Sequence, residues 1–136
     1  MVGPGSVGGA EQVRLQIDKG LVRRGHRSLV VARSESQIAG TLFPTLPVDG
    51  PIANETWFAA HDSVRKAISD ALASYPVDLV HMHEIHFNFL PPDDVPTLIT
   101  LHMPTTGYTP ESLRSSRPNT FFHCVSRSQR YCVPLW

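Results

Sequence analysis

Four short apolar runs limit what this chain can build. Residues 28–32 (SLVVA), 78–82 (DLVHM), 97–102 (TLITLH) and 121–125 (FFHCV) have the length of strands and are too short for helices that bury a face. Ahead of the first, Ala10, Val13, Ile17 and Leu21 step by three, four and four, which gives residues 9–24 one apolar helical face. Gly25 ends that helix, with Arg23 and Arg24 in the last turn where cations suit the helix dipole. A second stripe, Trp57, Ala60, Val64, Ile68 and Ala71, follows a helix-capping Asn54 and stops before Pro76. Residues 34–53 show no sustained period and read as an excursion holding at most one short strand. Helices alternating with compact apolar strands predict an α/β fold, an open parallel sheet flanked by helices. Ligands of such sheets sit beyond the carboxyl ends of the strands, where His83, His102 and Ser126 are expected to converge.

The chain has 136 residues, 41% of them apolar, enough for one core and one domain without disulfide staples. Twelve basic and twelve acidic residues cancel, so no broad positive field draws nucleic acid or anionic lipid, and any phosphate binding is local. No basic leader precedes an apolar stretch, and the strongest apolar run is only Leu29 to Ala32, so the expected compartment is the cytoplasm. Cys124 and Cys132 form no metal-ligand spacing and read as reduced thiols.

Three motifs carry chemistry. Gly3-Pro4-Gly5-Ser6-Val7-Gly8 is a G-x-G-x-x-G ahead of a helix, a pattern that lets backbone approach a pyrophosphate. It fits a dinucleotide, another phosphate, or flexible loop glycines, and Arg33 could receive a 2′-phosphate in the first case. His81, His83 and His86 make an H-x-H-x-x-H whose first two members share a strand face, a spacing metal sites use. No carboxylate is evidently placed to orient them, so a hydrogen-bonded or substrate-contacting pair is the reading and no metal is expected. Ser126 follows the last strand, where it caps the next helix or lines the crevice; no G-x-S-x-G elbow supports a serine hydrolase.

Taken in order, GSVGGAEQV, LVRRGH, VDLVHMH, TLITLHMP and FHCVSRSQR resemble the amino-terminal domain of GT-B-fold, family 4 (group 1) glycosyltransferases over nearly the whole chain. The resemblance implies one Rossmann-like half, residues 1–136, of a two-domain enzyme. It implies transfer of a sugar from a nucleotide diphosphate sugar to an unknown acceptor with retention, without cofactor or metal. Gly8 and Gly9 match the glycine pair near the donor diphosphate, Glu11 the acidic position after it, and His102 the cleft histidine at the donor sugar. His83 matches the second histidine of a D-x-V-H-x-H strand end, while Ser126, Gln129 and Arg130 match a cleft-lining S-x-x-Q-R segment.

Departures from the pattern shape the expectation. Only Met1 and Val2 precede Gly3, so the central first strand is nearly missing, and no E-x7-E of the donor-binding half occurs. The chain is therefore expected to be truncated and inactive alone, with a missing carboxyl-terminal domain or self-association as its protein partner. No nucleic acid is expected, and peripheral contact with a membrane stays open. An NADP-binding oxidoreductase domain using Gly3, Gly5, Gly8 and Arg33, and a non-catalytic binding module, are the alternatives.

Overall fold

The computed structural model describes residues 2–3, 8–46, 54–84, 87, 94–114 and 117–133. Gly5 of the glycine loop and His86 of the histidine motif lie outside them. The chain is α/β, with parallel strands in two sheets flanked by helices, and it divides into two compact units, residues 1–76 and 77–136. No described helix is long and apolar enough to cross a membrane.

The first unit holds α1 (Gly9–Arg23), β1 (Leu29–Arg33), β2 (Thr41–Thr45) and α2 (Asn54–Ser74). Gly8 is the N-cap of α1 in extended backbone. At the other end Gly25 adopts φ 81°, and the amides of Gly25 and His26 donate to the carbonyls of Val22 and Leu21. Only glycine takes that left-handed position cheaply, so the helix stops where the sequence predicts. β1 and β2 pair in parallel from Leu29 opposite Thr41 to Arg33 opposite Thr45.

Only residues 34–40 return the chain from β1 to β2, too few for the usual crossover helix. Their amides need other acceptors, and α1 supplies one. The Asp18 carboxylate, in a residue only 2% exposed, accepts from Ala39 N at 2.6 Å and Gly40 N at 3.1 Å. Gly40 has no room for a side chain there: a Cβ would meet Ser28 Cβ at 2.8 Å and Asp18 Oδ1 at 2.9 Å. Ser36 and Gln37 bind Val2, whose amide donates to Ser36 Oγ and whose carbonyl accepts from Gln37 N. Val2 forms no strand, yet it is buried with Leu15 and Ala32 in the core of the unit, against Val30, Ile38 and Leu42.

The apolar face expected on α1 is not the one this unit buries. Leu15, Asp18 and Gly20 turn inward, while Val13 and Leu21 remain 40% and 37% exposed beside a groove that also takes in Gly3, Gly9 and Ile17. The demand of the 39–40 amides for an acceptor sets the rotation, since burying Asp18 orients the helix around it. On α2 the predicted stripe does turn inward at Ala71, joined by Ala67. Tyr75 just beyond α2 packs edge-on against Phe43 of β2 and lies beneath the Arg27 guanidinium.

The second unit is a three-stranded parallel sheet, β3 (Val80–Met82), β4 (Thr97–Leu101) and β5 (Thr120–Cys124), followed by α3 (Arg127–Cys132). His81 stands opposite Leu98, and Thr100 opposite His123. Alternation along the strands then sorts the side chains. Met82, Ile99, Leu101 and Thr97 lie on one face and are buried, with Phe87 and Phe122 packed edge-on nearby. His81, Thr100 and His123 fall on the other face. Ser126 caps α3 by accepting from Gln129 N at 3.1 Å.

If the carboxylate clamp holds the first unit together, Asp18→Ala should lower its unfolding free energy by about 2 kcal/mol, the scale of hydrogen bonds to a charged group. Urea unfolding followed by a β1–β2 reporter measures this. An unchanged midpoint would contradict the assignment.

Candidate active site

The carboxyl end of the second unit's sheet gathers four imidazoles. His83 and His102 come directly after β3 and β4, where the chain leaves the sheet and its side chains meet solvent. His83 Nδ1 and His102 Nε2 lie 2.8 Å apart, a hydrogen bond between two rings. The His81 and His83 rings lie tilted against each other, centroids 4.1 Å apart and planes at 37°, and His81 Nε2 lies 2.7 Å from Thr100 Oγ1. Thr100 Oγ1 in turn stands 3.3 Å from His123 Nδ1. Burial first, then the neighbouring His123 and His102, hold the His81 pKa below its ordinary value of 6.5.

The ring nitrogens bond to one another and to Thr100 instead of converging on a point. Among the described residues no three His, Cys, Asp or Glu side chains are arranged to hold a metal ion. A row of imidazoles able to donate, accept and exchange protons suits the recognition of hydroxyls and the handling of developing charge.

Gln129 braces the row from behind. Its amide nitrogen donates to Leu101 O at 2.9 Å and Met103 O at 2.7 Å, on either side of His102. Its amide oxygen accepts from Val125 N at 2.8 Å. Expected as a cleft-lining substrate contact, Gln129 here spends both ends of its amide on backbone. Ser126 serves as the helix cap, and Arg130 is exposed on α3. In the loop after His102, the Met103 amide donates to Tyr108 Oη at 3.1 Å.

Gly8, Gly9 and Glu11 belong to the first unit, at the amino end of α1. A Cβ on Gly8 would collide with Glu11 Oε2, so the Glu11 carboxylate folds back over the cap, and it also accepts from Arg14 at 3.1 Å. A Cβ on Gly9 would meet nothing within 4 Å. Its backbone is open to approach.

Residues 7–134 match the family described as Glycosyltransferase Family 4. The chain belongs to that family. No curated protein and no solved structure matches it significantly. The match spans both the glycine-led α1 and the histidine row, so both ends of the reading fall inside the glycosyltransferase family 4 domain. The rival use of Arg33 as a 2′-phosphate receptor meets an obstacle in the same domain. Glu35 Oε1 sits 3.1 Å from the Arg33 guanidinium, and its pKa is lowered by its own backbone amide, the Ser34 hydroxyl and Arg33 itself. A carboxylate already charged at that position opposes an incoming phosphate.

Thr100 and His123 are the members that sequence reading missed. Their only sequence signal is a polar residue inside each of two apolar runs, and they meet because parallel pairing sets one opposite the other. His81 gives the site a pH signature. Its lowered pKa means the unfolded chain binds the proton more readily, so its share of stability is present above 6.5 and is lost as pH falls below that value. Unfolding at a series of pH values should show stability falling on acidification, with a shallower fall in His81→Gln, which has no proton to gain. Equal slopes would remove His81 from the account.

Proposed function

We propose that this glycosyltransferase family 4 domain forms one wall of a retaining glycosyltransferase that moves a hexose from a nucleotide diphosphate sugar to an acceptor. The observation that carries the reading is the position of His102, one residue past β4 and held between His83 and the Gln129-braced backbone. In this reading His102 faces the donor sugar; the amides at the start of α1, in the other unit, are assigned to the diphosphate by the family resemblance alone. The bond from the anomeric carbon to the diphosphate oxygen breaks, the acceptor oxygen bonds the same face, and its proton passes to the leaving diphosphate. Most donors to that diphosphate come from a second, carboxyl-terminal domain, so this chain alone binds the donor weakly and transfers no sugar. Acceptor choice lies in loops such as residues 34–53 and 103–119.

Donor hydrolysis and transfer should therefore be absent from the chain alone. They should appear when residues 1–136 are joined to a family carboxyl-terminal domain. In that protein His102→Ala should lower turnover by roughly 10²-fold, the scale of one lost transition-state donor. Gly9→Val should weaken donor binding by filling the open approach. Transfer by the chain alone, or turnover indifferent to His102→Ala, would overturn the reading.

A further inference from the structure

We propose that Gln129 is a positioning residue for His102, its side-chain amide standing in for the last backbone rung between β4 and β5 and fixing the peptide group through which the chain enters His102. The phase of the pairing locates that rung. Thr97 stands opposite Thr120 and its amide donates to Asn119 O, so alternate β4 residues, Thr97, Ile99 and Leu101, are the ones that bond β5. Continued by one step, the ladder would join Leu101 O to Val125 N, one residue past its partner Cys124. At that place Val125 N donates to Gln129 Oε1 at 2.8 Å, and Leu101 O accepts from Gln129 Nε2 at 2.9 Å. The side-chain amide occupies the rung as a peptide would, and it holds the two strand ends farther apart than a direct bond could.

The second Nε2 hydrogen goes to Met103 O at 2.7 Å, so both donors and the carbonyl oxygen of the side chain are in use. Turning the amide over would set N–H against N–H and an oxygen against two carbonyls. Glutamate lacks the donors, and lysine or arginine lacks the acceptor. The backbone of Gln129 is itself pinned, because its amide donates to the capping Ser126 Oγ at 3.1 Å. The effect falls on His102. Leu101 O belongs to the peptide that enters this residue, while Met103 N belongs to the peptide that leaves it and donates to Tyr108 Oη at 3.1 Å. Both planes that set the φ and ψ of His102 are thereby held, one from α3 and one from the following loop. That this matters to transfer rests on the reading of His102 as the group facing the donor; the rung itself does not.

NMR on the chain labelled with nitrogen and carbon isotopes, at about pH 7 where a glutamate is ionised, tests the rung. Couplings across hydrogen bonds are expected from Gln129 Nε2 to the carbonyl carbons of Leu101 and Met103, and from Val125 N to the side-chain carbonyl carbon of Gln129. In Gln129→Glu the acceptor for Val125 survives and the donors do not. The Val125 amide should then keep its protection against exchange, the Met103 amide should exchange about tenfold faster, the scale of one lost hydrogen bond, and the His102 ring resonances should shift. In Gln129→Ala the Val125 amide should lose its protection as well. His26, exposed in the other unit, should not move and serves as the control. Missing couplings in the unaltered chain would overturn the proposal, whether or not either variant folds. So would His102 resonances indifferent to Gln129→Glu, or a Val125 amide still protected in Gln129→Ala. A transfer assay on the joined protein indifferent to His102→Ala would instead remove the functional reading and leave the rung in place.

Discussion

Parallel pairing between β3, β4 and β5 fixes almost everything that matters in the second unit. The Thr100–His123 register and the His81–Leu98 register put every second side chain of three strands on a common face. A slip of one residue on any strand would bury an imidazole against Ile99 and Leu101 and expose the apolar set. The apolar face thus enforces the polar one: Met82, Ile99 and Leu101, none more than 6% exposed, lock the register that brings four histidines together. Central parallel strands are ordinarily apolar on both sides, and this sheet departs from that on one face only. A departure confined to one face and one end of a sheet is where function is expected to override packing.

The first unit solves a different problem with the same economy of parts. A parallel pair joined by seven residues leaves backbone amides without ladder partners, and leaving such groups unpaired costs about 1–3 kcal/mol each where water is excluded. Asp18 meets two of them from the neighbouring helix, Ser36 and Gln37 meet Val2, and the three elements become interdependent. The consequence reaches the candidate site, because the same α1 that carries Asp18 inward carries Gly8 and Gly9 at its amino end. Rotating the helix to suit its apolar stripe would take Asp18 away from the connection.

Much of this was legible in the sequence, and the remainder fails for identifiable reasons. Gly25 and Ser126 announce their helix ends because capping is local chemistry, decided within a few residues. The short strand allowed for in residues 34–53 is β2, which the sequence did not locate because Pro44, unable to donate to a ladder, sits at an exposed position within it. Asp18 was unreadable because its partners lie 21 and 22 residues away, and among Gln16, Lys19 and Arg23 a lone carboxylate looks solvated. His123 was hidden between Phe122 and Cys124 in what reads as a core strand. Its meaning appears only with the strand beside it. Histidines 83 and 102 were found because each ends a strand, yet nothing local says that their rings touch.

At the amino end of α1, magnitudes bear on the proposed diphosphate contact. Its first-turn amides have no acceptor within the helix, which favours an anion there by about 0.3–1 kcal/mol. Glu11 already places a carboxylate over that end, so an incoming diphosphate meets charge of its own sign. The cost of moving Glu11 aside is small, however, because its partly exposed pairing with Arg14 is worth no more than about 1 kcal/mol. A diphosphate making two charge-assisted bonds to backbone amides gains about 1.5–3 kcal/mol from each. In the proposed reading, a doubly charged group therefore displaces Glu11 more readily than a weaker anion does.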